Sequence, residues 1–298
     1  MNSRVSLRTR AELSLILVAV IWGSTFTVVK TALEDVSPLL FLLLRFTLAF
    51  LLLLVLFHAR FSNPGPARVV WRGGLAAGTL LFAGYAFQTI GLRYTSASKS
   101  AFLTGLYIVV IPLLSSLVKK SVPSWLEWLG IGLASGGTAL MTSGGIQTAF
   151  NRGDALTIAC AFAFAAHIVV VAHYSRLMNY EVLSVLQIGG VALFSLLTFG
   201  WVESPYLVWG TRLLAAVALT AVLATAVSFA LYTWAQAHTT ATRTALLFST
   251  EPVFAGLTAW IVSGESWTFR SVLGATLILG GILSVELKPS PVRGHLSQ

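Results

Sequence analysis

A chain of 298 residues that is 56 % hydrophobic and 10 % charged, with mean hydropathy +0.85, cannot meet water all round. Soluble domains carry about 25 % charged residues. The composition therefore describes a polytopic membrane protein, and the net charge of +9 needs no nucleic-acid partner because the cations sort by loop. The single cysteine, Cys160, leaves no basis for an intrachain disulfide or a cysteine metal cluster, and no metal or cofactor is expected.

A spanning helix needs about 20 mostly apolar residues. The apolar runs predict ten of them, at 11–31, 38–57, 70–92, 98–118, 125–143, 153–173, 182–200, 211–234, 242–262 and 269–287. Arg4, Arg8 and Arg10 precede the first run as in a secretory signal, but the run is too long for an h-region and no A-x-A site follows. It is read as an uncleaved first helix, carrying Trp22. The second segment holds Arg45, placed either to pair with Glu251, to bind a substrate carboxylate, or to snorkel to the interface. Tyr85 and Gln88 share one face of the third. Lys99 opens the fourth, a solvated anchor by position; Tyr107 and Pro112 follow, the proline predicting a kink. Gly130, Gly132, Gly136 and Gly137 give the fifth close-packing surfaces, Gly132 and Gly136 as a small-xxx-small pair.

The sixth segment carries Cys160 and His167, the latter either a ligand contact or a helix–helix hydrogen bond. Ser228, Tyr232 and Gln236 form a stripe on the eighth. The ninth opens with Arg243, another anchor by position, and holds Glu251 followed by Pro252. No charge lies within seven residues of Glu251, and a carboxylate in hydrocarbon costs several kcal/mol unless paired, hydrated or protonated. Pro252 removes a helix hydrogen bond beside it. Twelve Lys and Arg fall on the side that holds both termini and six on the other, which places the termini in the cytoplasm. Runs of this length without period-two alternation exclude a β-barrel.

The chain repeats itself. At an offset of 144, residues 95–141 overlie 239–285 without a gap and with twelve identities. Thr95, Ala97, Ala101 and Leu103 meet Thr239, Ala241, Ala245 and Leu247, and Gly130, Gly136 and Gly137 meet Gly274, Gly280 and Gly281. Lys99 meets Arg243, Tyr107 meets Glu251, and Ser121 meets Glu265; upstream, Trp22 meets Phe164 at an offset of 142. Five segments per copy force the second copy upside down. The predicted fold class is an all-α integral membrane protein of ten helices, two inverted five-helix repeats (residues 1–150 and 151–298) around a central cavity.

The stretches Ala19–Phe26 (AVIWGSTF), Pro38–Phe46 (PLLFLLLRF), Leu92–Tyr107, Thr250–Leu257 (TEPVFAGL) and Gly264–Glu265 resemble the drug/metabolite transporter superfamily, in its ten-helix branch built from two EamA-type repeats. The resemblance implies a cavity lined by the third, fourth, eighth and ninth helices, with contributions from the first, second, sixth and seventh, and the fifth and tenth at the periphery. Its size and layout are similar to exporters of amino acids and other small metabolites.

Trp22, Tyr85, Gln88, Tyr107, His167, Tyr232 and Glu251 are the candidate substrate-binding residues: aromatic faces, a few hydrogen bonds and one carboxylate, the chemistry of a small-ligand pocket. Arg45 is the candidate charge partner, and Pro112 and Pro252 the candidate bends for gating. The expected function is secondary export of small organic solutes by alternating access, amino acids (including aromatic ones) first, with proton coupling at Glu251. A lipophilic-cation or nucleotide-sugar carrier stays open, as does a membrane-embedded enzyme or lipid-carrier flippase. The expected partners are a small-molecule substrate and the bilayer, as monomer or homodimer, in the inner membrane. No G-x-x-x-x-G-K-[ST], H-E-x-x-H or G-x-S-x-G motif is present, so no enzymatic activity is expected; Ser96–Lys99 matches S-x-x-K without its companions.

Overall fold

The computed structural model describes residues 6–95, 97–119, 123–142, 150–263 and 268–286. Ser96, Ser121, Gly264 and Glu265 lie outside these residues. The described chain is helical: α1 (Leu7–Ala32), α2 (Pro38–Phe57), α3 (Ala67–Gly91), α4 (Ala97–Thr104), α5 (Tyr107–Lys119), α6 (Trp125–Thr142), α7 (Arg152–Tyr174), α8 (Tyr180–Val202), α9 (Thr211–Leu219), α10 (Ser228–His238), α11 (Ala241–Phe248), α12 (Glu251–Ser263) and α13 (Phe269–Glu286). A 3₁₀ turn (His58–Ser62) follows α2, and a π-helical stretch (Thr220–Val227) joins α9 to α10. Each predicted segment coincides with one helix or with a broken pair. Among the described residues six stretches are long and apolar enough to cross a membrane: Leu7–Ala32, Pro38–Ser62, Lys99–Leu117, Arg152–Tyr174, Tyr180–Val202 and Thr211–His238. The protein is a multi-pass membrane protein.

Helix ends are satisfied by side chains from near and far. Ser6 caps α1 by accepting from Thr9 N at 3.1 Å. Asn151 and Asp154 form a reciprocal capping box on α7, with Asn151 N donating to Asp154 Oδ2 at 2.8 Å. Pro38 opens α2, where its missing N–H costs nothing. The next two amides, Leu39 N and Leu40 N, donate to Glu203 Oε1 from the end of α8 at 3.0 and 3.1 Å. Nearby, Arg212 holds Asp35 and Glu34 at 2.7 and 2.8 Å, and Tyr206 Oη donates to Leu33 O at 2.5 Å. The α1–α2 turn is thus tied to the α8–α9 connection.

The break in the fourth predicted segment is not at Pro112. That proline sits inside α5, and the chain turns at Gly105–Leu106, where Leu106 N, Ile108 N and Val109 N reach back only three residues. Gly105 is a poor helix former, and the helix is interrupted there rather than at the proline. The matching break, Ser249–Thr250, falls 144 residues on and directly precedes Glu251–Pro252. There Pro252 cannot donate to Phe248 O, so proline and break coincide.

The most extensive helix pair is α6 with α13, followed by α3 with α7 and α2 with α8. On α6 the glycines divide. A Cβ on Gly130 would lie 2.7 Å from Gly281 O, and one on Gly137 2.4 Å from Gly274 O, so these backbones touch. Gly132 and Gly136 meet nothing within 4 Å. The expected small-xxx-small pair therefore faces away from α13; the true contact uses the seven-residue spacing of Gly130 and Gly137, two turns along one face.

Lys99 and Arg243, expected as solvated anchors, are both paired. Lys99 Nζ lies 2.6 Å from Asp154 Oδ2, with side chains 10 % and 0 % exposed. Thr95 Oγ1 donates to the other oxygen of Asp154 at 2.9 Å. Arg243 Nη1 lies 2.9 Å from Glu12 Oε1, which also takes Arg8 Nε at 2.8 Å.

Candidate functional site

Trp22, Arg45, Tyr85, Gln88, Tyr107, His167, Tyr232 and Glu251 all line one cavity. About 750 Å³ of empty space lies along it, open solvent at its mouth included. They come from α1, α2, α3, α5, α7, α10 and α12, so no local stretch of chain contains the site. Pro112 is not part of this wall. Pro252 lines a smaller adjoining cavity with Phe26, Ser249 and Glu251.

Glu251 sits at the first position of α12, beside the Ser249–Thr250 break. Tyr107 Oη donates to Glu251 Oε1 at 3.2 Å. These two positions are repeat equivalents, and they meet. No ion pair of Glu251 occurs among the described residues, so the expected bond to Arg45 is not formed. Nor does Arg45 snorkel: it is 4 % exposed. Its Nε donates to Thr225 Oγ1 at 2.7 Å and its Nη2 to Ala224 O at 3.3 Å. The guanidinium also lies 5.1 Å from the Tyr85 ring centroid and 5.2 Å from that of Phe46.

The partner of Arg45 is a product of the π-helical stretch. With i−5 bonding, Thr225 Oγ1 reaches Thr220 O at 2.9 Å and Ser228 Oγ reaches Leu223 O at 2.8 Å. The wider turn turns Ala224 O toward the cavity side, where it also accepts from Trp22 Nε1 at 2.9 Å. Hydropathy carries no mark of a π-turn, which is why Thr225 and Ala224 were missed in the sequence.

The rings form a continuous wall. Trp22 stands 5.0 Å from Phe248, 5.4 Å from Phe229 and 6.1 Å from Tyr232, and Tyr85 packs edge-on to Phe46 and Phe164. Phe229 and Phe248 were also missed, since a phenylalanine in an apolar helix has no signal separating lining from packing. His167 makes the helix–helix hydrogen bond, its Nε2 bonding Gln187 Oε1 at 2.7 Å, while its ring, stacked at 5.9 Å on Tyr232, also lines the cavity. Gln187 in turn donates to Thr233 Oγ1 at 2.8 Å, fixing the imidazole from behind. Gln88 Nε2 donates to Thr104 Oγ1 at 3.2 Å. Of the stripe Ser228, Tyr232 and Gln236, only Tyr232 reaches the cavity. None of the lining residues named here comes from α6, α8 or α13.

The arrangement is an aromatic-walled chamber with one guanidinium and one carboxyl group in its walls, each hydrogen-bonded but not ion-paired to the other. Such a chamber can hold a small solute bearing charge of either sign.

The chain is 36 % identical over 290 residues to an uncharacterized transporter of Archaeoglobus fulgidus, covering 94 % of this chain and 87 % of that protein. It is 24 % identical to the uncharacterized transporter YoaV of Bacillus subtilis, covering 92 % and 95 %. A solved crystal structure has the same fold with TM-score 0.76 at 19 % identity, over 93 % of this chain and 96 % of the other. The EamA-like transporter family matches twice, over residues 9–143 and 151–287, and the chain belongs to that family of membrane transporters.

Proposed function

We propose that the protein is a ten-span secondary transporter of the inner membrane, with both termini cytoplasmic, that exports small zwitterionic solutes, amino acids including aromatic ones first. Its two five-helix repeats, residues 1–150 and 151–298, are inverted with respect to one another and rock about the cavity in alternating access. The inversion is supported by contacts that exchange between copies: Gly130 meets Gly281 while Gly137 meets Gly274, and Tyr107 meets its own equivalent, Glu251.

The observation that carries the substrate reading is the pair of charges, Arg45 and Glu251, in one aromatic cavity without an ion pair between them. Arg45 takes the carboxylate of the solute, Glu251 its ammonium or a coupled proton, and Trp22, Tyr85, Tyr232 and Phe248 the side chain. His167 and Gln88 supply further hydrogen bonds, and the breaks at Gly105–Leu106 and Ser249–Thr250, with Pro252, let the half-helices tilt. A lipophilic cation is the second reading. It is favoured by the fact that Arg45 already donates to Thr225 and Ala224 O, which leaves Glu251 as the charge most open to a ligand.

The test is efflux of a panel of labelled amino acids from proteoliposomes, with and without a pH gradient, for wild type, Glu251→Gln and Arg45→Met. The zwitterion reading expects wild-type efflux, loss of gradient dependence in Glu251→Gln and loss of carboxylate-bearing solutes in Arg45→Met. Efflux of lipophilic cations alone, abolished by Glu251→Gln and kept by Arg45→Met, would replace it with the second reading. No movement of any solute under any gradient would sink both.

A further inference from the structure

The pairs Lys99–Asp154 and Arg243–Glu12 are two copies of one contact. Lys99 and Arg243 are 144 residues apart, and Glu12 and Asp154 are 142 apart, the offset that also relates Trp22 to Phe164. Each pair crosses between the family's two matched units: α4 of the first grips α7 of the second, and α11 of the second grips α1 of the first. They sit at opposite ends of the molecule. Lys30, near the end of α1, donates to Thr95 O at 3.1 Å, and Thr95 Oγ1 donates to Asp154, so the Lys99–Asp154 pair lies at that end. Glu12 is 18 residues earlier on the same helix, about 27 Å away at 1.5 Å per residue. Trp22, Thr25 and Val29, which line the cavity, lie between them.

We propose that these pairs are the two latches of the transporter, one closing each end of the central cavity, and that each breaks when the cavity opens on its side. This rests on the alternating-access reading above. An inverted repeat must build its inner and outer closures from equivalent residues, and among the ion pairs of the described residues these two have that relation. The latches are unequal. Asp154 is fully buried, and it also accepts from Thr95 Oγ1 and Asn151 N. Glu12 and Arg243 are 17 % and 16 % exposed, and Glu12 is shared with Arg8 at the surface. Water reaches the second pair more readily and screens it more, so the Glu12 end opens first.

The experiment uses the full chain in vesicles of known protein orientation, with Cys160→Ser removing the sole cysteine and Thr25→Cys reporting from the cavity wall. A membrane-impermeant cationic methanethiosulfonate is added to one face or the other. Glu12→Gln should raise labelling from the Glu12 face about ten-fold, equivalent to about 1.4 kcal/mol of closing free energy, with the other face unchanged. Asp154→Asn should do the converse, and the exchanges Lys99→Asp/Asp154→Lys and Arg243→Glu/Glu12→Arg should return labelling toward the parent. If Asp154→Asn does not fold, Lys99→Met and the first exchange read the same latch. The proposal is overturned if both neutralisations open the same face, or if folded variants label as the parent does. Labelling needs no substrate, so a failed efflux panel and a failed latch are separate results.

Discussion

Alanine replacements along α6 separate its two faces within a single helix. At Gly137 a Cβ would stand 2.4 Å from Gly274 O, and at Gly130 2.7 Å from Gly281 O. Both obstacles are backbone carbonyls of α13, which cannot swing aside as a side-chain tip would, so the two helices must part along their contact. Overpacking of this kind costs about 1–3 kcal/mol, against a gain of about 1 kcal/mol from replacing a helical glycine with alanine. Gly137→Ala should therefore be destabilising by up to about 2 kcal/mol, the difference of those ranges. At Gly132 and Gly136 nothing lies within 4 Å, so alanine should keep the full gain and stabilise by about 1 kcal/mol. Thermal unfolding of the four single variants in one detergent orders them: Gly132→Ala and Gly136→Ala above wild type, Gly130→Ala and Gly137→Ala below. A Gly136→Ala protein that loses as much as Gly137→Ala would refute the assignment of faces. Partners on α13 should follow: Gly274→Ala and Gly281→Ala fall, while Gly280→Ala, with nothing within 4 Å, does not.

Tyr107→Phe removes the hydroxyl that donates to Glu251 at 3.2 Å, a bond worth about 1.5–3 kcal/mol when the acceptor is charged; gradient-driven efflux should slow by about ten-fold or more, and an unchanged rate would remove Tyr107 from the site. Gln236 is fully buried and, with the Tyr232 hydroxyl close by, neither amide atom makes a well-formed hydrogen bond among the described residues, so Gln236→Met should raise thermal stability by about 1–3 kcal/mol, whereas a fall would show that the amide is satisfied. At the α1–α2 turn, the hydrogen bonds from Arg212 hold the Asp35 carboxyl below its usual range. A depressed carboxylate stabilises above its unfolded pKa and loses that contribution as pH falls through the folded value. The melting temperature of wild type should therefore drop below about pH 4, and Asp35→Asn should show a smaller drop, with high salt narrowing the gap; equal acid profiles would remove the link.

The residues of the cavity were visible in the sequence because most are polar or aromatic where hydrocarbon makes such groups costly. Glu251, Arg45, His167 and Gln88 announce themselves against an apolar background. Phe229, Phe248 and Thr225 do not, since nothing distinguishes them from packing residues until the helices are rotated into place. Pro112 gives a strong local signal for a bend, yet the helix is interrupted at Gly105–Leu106, nearly two turns earlier, and Pro112 itself stays inside α5. Lys99 and Arg243 looked like solvated anchors because each opens a segment beside a short connection. Their carboxylate partners lie 55 and 231 residues away, beyond any window of periodicity.

What the sequence by itself determined is what depends on composition and local order: the membrane class, the positions of the helices, the repeat and the family likeness. Length and hydropathy suffice for these because a bilayer demands long apolar helices whatever they pack against. The tertiary structure alone decided the pairings. It turned Gly130 and Gly137 inward and Gly132 and Gly136 outward, gave Arg45 the carbonyl of a π-turn instead of Glu251, and joined each cation of the repeat to an acid of the opposite copy. Those outcomes rest on how neighbouring helices are rotated and in what register they meet, and a one-dimensional pattern of apolar residues leaves both undetermined.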